Sequence, residues 1–270
     1  MSPVTRDDVH TTVSAMLAAE LQCNTVEFND GDIHIVERVS TTTTSPPGRQ
    51  LTNPDPYFGI AVAGPGGVVS VSSVWSNWAH QTFTNIPQHQ LMGPQRMAAA
   101  TRLVEESGNT LAGPYPRFVV SESDLRPTPM PKGYRLELTG PDTTRQLRSD
   151  QWPNGLERNA HENRVLVTAA LASYGDSLAG LAALTKDAQR MWQIGIDVLP
   201  THRGQGLGQA LTSALAEEAL AANQVPFYAT SAANIPSMRT ALGLGFFPGW
   251  VEVVTIHKPP ARARVDDPQK

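Results

Sequence analysis

Cysteine is almost missing from this chain: Cys23 stands alone among 270 residues. No intrachain disulfide can form, and a lone cysteine outside any nucleophile motif reads as a packed side chain. Basic charge is also scarce. Lys and Arg number 21 against 25 Asp and Glu, a net charge of −4, and they are scattered, so no nucleic-acid surface is expected. No apolar run approaches the ~18 residues of a membrane span, and "MSPVTRDDVH" lacks the basic-then-apolar order of an export signal. The expected setting is cytoplasmic, with no membrane partner. The histidines, at 10, 34, 80, 89, 161, 202 and 257, never fall in an H-x-x-x-H pair or beside the cysteine, so no metal site is expected.

What the chain does have is a hydrophobic content of 40%, enough for one large or two ordinary domains. Apolar spacing predicts a helix over 5–22, with Val9, Val13, Met16, Leu17 and Leu21 on one face, and a strand over 33–39. The stretch 40–56 is proline-rich and almost without apolar residues, which predicts an exposed loop. Two short strands around a Gly-Pro-Gly-Gly turn (59–72), a helix at 94–107 and a strand at 117–121 complete an N-terminal α/β half, 1–125. No motif in that half carries chemistry. Its clustered Trp75, Trp78, His80 and Phe83 read as core, with an acceptor pocket as the alternative.

Prolines 127, 129 and 131 make 126–133 an extended connector and place a domain boundary there. A second unit, 134–258, is expected to hold a strand at 134–138, a helical region from about Asp142, and two strands joined at "YGDS". A strand at 191–199 leads to a glycine-rich stretch and a helix to about 222. A strand near 227, a helix at 234–243 and a last strand follow, and 259–270 read as a disordered tail. The fold class is therefore α/β, with a mixed sheet whose ligand crevice opens at strand ends.

The glycine stretch "IDVLPTHRGQGLGQALTSAL" sits at a strand-to-helix junction, where unpaired backbone amides and the helix dipole favour an anion. Two familiar phosphate loops fail. From Gly204 the sixth position of a dinucleotide fingerprint is Gln209, and the Lys-Ser or Lys-Thr pair of a P-loop is absent. What stands there is R-x-x-G-x-G: Arg203, Gly204, Gln205, Gly206, Leu207, Gly208. Together with "IGIDVLP" before it and "NIPSMRTALGLGFFP" after it, this resembles the acetyl-CoA signature of the GNAT superfamily of N-acetyltransferases, over about 132–258. The N-terminal half is then open to being a degenerate copy of the same domain.

The resemblance implies acetyl-CoA as cofactor, with main-chain contacts from Ile196 and Val198 to the pantetheine arm. The amides of Arg203 to Gly208 would hold the pyrophosphate, Asn234 would bond the pantetheine near the thioester, and Ser237 would lie on the cofactor side of the next helix. Asn234 also reads as a plain helix N-cap. In many family members a tyrosine seven residues after the Asn is the proposed general acid; here that position is Ala241. Tyr228 is a possible substitute, with a packed aromatic as its alternative. Glu157 and His161, in the segment that usually shapes the acceptor site, are the candidate bases. Asp197 reads as support for the turn into "LPTHR". The implied activity is transfer of an acetyl group to a primary amine of a small molecule or peptide by direct attack in a ternary complex. The competing reading is a non-catalytic acyl-CoA-binding sensor, motivated by Ala241. The oligomeric state is open, a homodimer included.

Overall fold

The computed structural model describes residues 2–157 and 164–258. The expected tail at 259–270 lies outside the described residues. Helix α1 (Arg6–Leu21) starts where the sequence provides a capping box: the Thr5 hydroxyl accepts from the Asp8 amide at 3.2 Å, and the Asp8 carboxylate accepts from the Thr5 amide at 2.9 Å. Its apolar face, Val9, Val13, Met16, Leu17 and Leu21, is fully buried, as the spacing predicts.

The strands are β1 (Ile33–Arg38), β2 (Phe58–Val62), β3 (Gly67–Ser72), β4 (Asn109–Val119), β5 (Tyr134–Thr139), β6 (Val165–Tyr174), β7 (Ser177–Lys186), β8 (Met191–Val198), β9 (Val225–Ala229) and β10 (Phe247–His257). Between them lie helices α2 (Ser76–Phe83), α3 (Pro94–Glu106), α4 (Leu207–Ala221) and α5 (Ile235–Gly243). The helical region expected from Asp142 is a single turn, Pro141–Thr144. The ten strands of the described residues form one sheet in the order β1-β3-β2-β10-β4-β9-β8-β7-β6-β5. The fold class is the expected mixed α/β type.

The sheet interleaves the two halves of the chain. The last strand, β10, lies between β2 and β4, and β4 lies between β10 and β9. Most neighbouring strands are antiparallel, but β1 with β3 and β8 with β9 run parallel. Strand β4 starts at Asn109, well before the expected 117, despite Gly113, Pro114 and Pro116. A register shift against β10 between Glu252 and Val254 lets the ladder step past Gly113 and Pro114, neither of which is paired.

Four apolar clusters follow from this arrangement among the described residues, the smallest holding Trp152, Leu171, Leu181 and Ala183. One joins α1 to Phe227 and Trp250, a second lies under α4 and α5, and a third holds Phe58, Trp75, Phe83 and Val104 beneath α2 and α3. Trp75 and Phe83 are therefore core and Trp78 packs at its margin, whereas His80 is exposed.

The extended connector and the 40–56 loop are both fastened to the rest of the fold. In the connector, the Thr128 amide donates to Ser213 Oγ on α4 at 2.9 Å, and the Arg126 amide donates to the Leu244 carbonyl at 2.9 Å. The 40–56 loop carries Arg49 into the interior, where it pairs with Glu20 of α1 and Glu252 of β10, both at 2.6 Å. Composition reports how much apolar area a loop can bury; it does not report a single buried ion pair.

Candidate active site

The local order strand, turn, glycine loop, helix places a cleft at the carboxyl end of β8. Strands β8 and β9 pair only from Met191 with Val225 to Ile194 with Tyr228. Beyond Ile194, β8 continues to Val198 on its β7 side alone, where Val198 pairs with Gly180. The two parallel strands part, and main-chain groups of Gly195 to Val198 that would face β9 lack a ladder partner there.

At the end of β8 the chain makes one 3-10 turn, Pro200–His202, and enters the glycine loop. Gly204 (φ +76°) and Gly206 (φ +84°) both adopt the left-handed conformation that an L side chain resists. Gly206 is the N-cap of α4, which has no side-chain cap. The first bond of α4 runs from the Ala210 amide to the Gly206 carbonyl at 3.1 Å, so the amides just before Ala210 have no partner inside the helix. Arg203 has another role: its Nε donates to the Val198 carbonyl at 3.0 Å and its amide donates to Pro200 O at 3.3 Å, latching the loop to the strand end. Buried Leu207, Leu211 and Leu215 hold α4 against the sheet, each contributing roughly 1.5–3 kcal/mol by burial.

Strand alternation divides the roles along β8. Trp192, Ile194, Ile196 and Val198 pack toward α4, while Gln193, Gly195 and Asp197 face the opposite side. On that side the helical turn Pro153–Glu157 crosses the strand. The Asp197 carboxylate accepts from the amides of Asn154 (2.9 Å) and Gly155 (2.8 Å) and from Asn154 Nδ2 (2.6 Å). Asp197 thus fixes the segment that lies over β8 and β7 and does not brace the turn into 199–203, as its sequence neighbourhood had implied. A side chain at Gly195 would strike the Asn154 carbonyl, so the close approach requires glycine. Glu157 ends this turn, and His161 lies outside the described residues.

Across the cleft, Asn234 Oδ1 accepts from the Ser237 amide at 3.2 Å, which makes Asn234 the N-cap of α5. Tyr228, the last residue of β9 paired with β8, is buried, and its hydroxyl lies 3.0 Å from Ser237 Oγ. Burial raises the Tyr228 hydroxyl above its ordinary value, with the Ser237 hydrogen bond opposing in part. Ala241, where the tyrosine of the resemblance would stand, is wholly buried. Nothing in the local sequence pattern marks Asn154 or the Tyr228–Ser237 pair, since each is assembled by the fold. Among the described residues no group of three or more His, Cys, Asp or Glu is placed to hold a metal ion.

Residues 132–246 match the model of the Acetyltransferase (GNAT) family. The C-terminal half carries a GNAT acetyltransferase domain. Comparison with curated proteins returns no match. Among solved structures, the chain is similar to a GCN5-related N-acetyltransferase from Kribbella flavida, at 15% identity and a TM-score of 0.49, covering 93% of this chain and 95% of that one. A tandem GNAT protein from the clavulanic acid biosynthesis pathway is similar at 21% identity and a TM-score of 0.41, over 65% of this chain and 61% of that one. AAC(6')-Iy, in complex with the bisubstrate analogue CoA-S-monomethyl-acetylneamine, aligns at 20% identity and a TM-score of 0.33, over 43% of this chain and 92% of that one. In this chain the GNAT domain draws on the N-terminal half for its sheet, because β4 is the strand beside β9. No helix among the described residues is long and apolar enough to cross a membrane.

Proposed function

We propose that the protein is an N-acyltransferase that moves an acetyl group from acetyl-CoA to a primary amine of a small molecule or peptide. The carrying observation is the parting of β8 from β9 after Ile194, with the left-handed Gly204 and Gly206 at the mouth of the gap. A cleft between two strands suits a narrow, amide-bearing chain, and uncapped helix amides suit a diphosphate at its end. The residues present fit the cofactor on both counts.

In this reading, main-chain groups of Ile196 and Val198 hold the pantetheine arm, the Val198 carbonyl being shared with Arg203. The amides of the 204–208 loop hold the pyrophosphate, the Arg203 amide being already bonded to the Pro200 carbonyl. Asn234 and Ser237 border the thioester end. Bound acetyl-CoA supplies an activated acyl group on a thiol leaving group. The protein must then take a proton from an ammonium that titrates near about 10.4 and return one to a sulfur that titrates near about 8.5. For the first we assign Glu157, at the end of the turn that Asp197 pins over β8, or His161. For the second we assign the Ser237 hydroxyl, with Tyr228 behind it as donor, in place of the tyrosine that Ala241 replaces. Approximation of the two reactants supplies much of the remaining acceleration. We assign this chemistry to residues 134–258.

Calorimetry with acetyl-CoA at millimolar concentration tests the cofactor: binding is expected, and its absence overturns the proposal. Release of free thiol across a library of amines tests the reaction. Binding without release for any amine would instead establish the sensor reading.

A further inference from the structure

The sheet has a second parallel pair, β1 with β3, and its carboxyl end is also a cavity. Arg38 closes β1, Ser72 closes β3, and the two are register partners. In open α/β sheets the crevice outside the carboxyl ends of parallel strands is the usual place for a ligand. Here that crevice is a cavity of about 220 Å³ lined by Arg38, Ser40, Asp55, Ser72 and Ser73 among others. It is separate from the cleft described above. Five strand spacings lie between β3 and β8, roughly 24 Å along the sheet.

The charges in the cavity are arranged unlike those elsewhere in the molecule. Arg38 is 95% buried, at 5% exposure, yet its Nη1 has no hydrogen-bond partner. Its guanidinium lies 3.9 Å from the centre of the Tyr57 ring, which fixes its plane and leaves its donors unused. Arg49 and Arg117, by contrast, both reach the carboxylate of Glu252. Leaving a guanidinium nitrogen buried and unpaired is costly, and native structures rarely do so without a reason. Asp55 lines the same cavity, yet no ion pair joins it to Arg38. Two hydroxyls hold it in place instead: Ser40 Oγ donates to Oδ2 at 2.8 Å and Ser72 Oγ donates to Oδ1 at 3.2 Å. Ser72 Oγ in turn accepts from the Tyr57 amide at 2.8 Å, so the aromatic base and the carboxylate are positioned by one side chain. Each Asp55 oxygen keeps acceptor capacity after its serine bond.

A small cavity that presents a cation with free donors and a separate anion with free acceptors is complementary to a zwitterion. We propose that it binds a free α-amino acid of small side chain, its carboxylate on Arg38 and its ammonium on Asp55. The planar fork of a guanidinium suits a carboxylate in two-point contact. A cavity of this volume has room for such a molecule. The proposal stands apart from acetyl transfer and survives its failure.

Nuclear magnetic resonance titration of the full chain with L-alanine, acetate and methylammonium tests it. L-alanine is expected to shift the amides of Asp55, Ser72 and Ser73 and to bind at least about tenfold more tightly than acetate. Asp55→Asn, at an exposed position, is expected to bring alanine down to the acetate level while leaving acetate unchanged. Arg38→Gln is expected to abolish both if it folds by circular dichroism; should it not fold, the Asp55→Asn comparison decides alone. Absence of alanine shifts, equal affinity for alanine and acetate, or an Asp55→Asn variant that binds alanine as the wild type does would each overturn the assignment.

Discussion

Tyr228 and Ser237 form a hydroxyl pair, with Ser237 one helical turn before Ala241. Because burial raises the Tyr228 hydroxyl, it stays protonated, and so a donor, across the whole neutral range and beyond the ordinary tyrosine value of about 10. If the pair delivers the proton to sulfur, Tyr228→Phe lowers kcat by about tenfold to a hundredfold while leaving the affinity for acetyl-CoA unchanged. Steady-state thiol release and calorimetry on the same preparation check both halves of that expectation. An unchanged kcat with a stability loss of about 1 kcal/mol would make the hydroxyl a packing feature. Each residue is legible singly in the sequence, but their pairing is made by the fold. The neighbourhood of Asp197 points to a local role, whereas its partners Asn154 and Gly155 lie more than forty residues upstream. Side chains that bond across the fold leave no trace in spacing, whereas the N-cap Asn234, which bonds three residues ahead, was legible.

The run from β8 through the glycine loop into α4 is local in the chain, and it could be read almost completely. Its strand, expected over 191–199, runs Met191–Val198, and its helix, expected to end near 222, ends at Ala221, because each rests on nearest-neighbour chemistry. Strand β4 was legible only from 117, since the prolines before it signal a break that its neighbour β10 accommodates by a register shift. The loop yields a sharper test. Gly206→Ala places a methyl at φ +84°, at a cost of roughly 1–2 kcal/mol in that backbone state, and shifts the amides that would face the pyrophosphate. Acetyl-CoA affinity by calorimetry is expected to fall about tenfold. Gly108→Ala imposes the same kind of strain at φ +82°, on the turn before β4 with open space around it. It is expected to lower stability alone, with affinity unchanged; equal affinity losses in both variants would show a general softening of the fold.

The assembled molecule is held across its two halves by a buried ion network. Glu252 of β10 accepts from Arg49 Nη2 at 2.6 Å and from Trp250 Nε1 at 2.8 Å, and pairs with Arg117 at 2.6 Å. Burial alone would raise this carboxyl, but Arg49 and Arg117 overcome it and hold the group far below the usual carboxylate range. Glu252→Gln takes the carboxylate from buried Arg117 and leaves Arg49 with Glu20 alone, and is expected to cost about 3–5 kcal/mol, a drop in melting temperature of the order of 10 °C. A folded-state value below the unfolded one means that the stabilisation is complete above about pH 4.3 and disappears as pH falls toward the lower value. The difference in unfolding free energy between wild type and Glu252→Gln, followed by denaturant titration, is therefore expected to be constant at neutral pH and to narrow below about pH 4. A gap that did not narrow would place its origin in packing. None of this network was visible beforehand, because it joins residues up to 203 apart in sequence.

The interleaving of β4 and β10 also sets an order of events during synthesis. Both sheet neighbours of β4 are strands made at the far end of the chain, β9 and β10. As the chain leaves the ribosome, β4 has two open edges until more than one hundred further residues have followed it. The GNAT domain, for its part, emerges with the strand it needs beside β9 already waiting. The first half of the chain thus serves as a template for the second, and the second half, arriving last, closes the first.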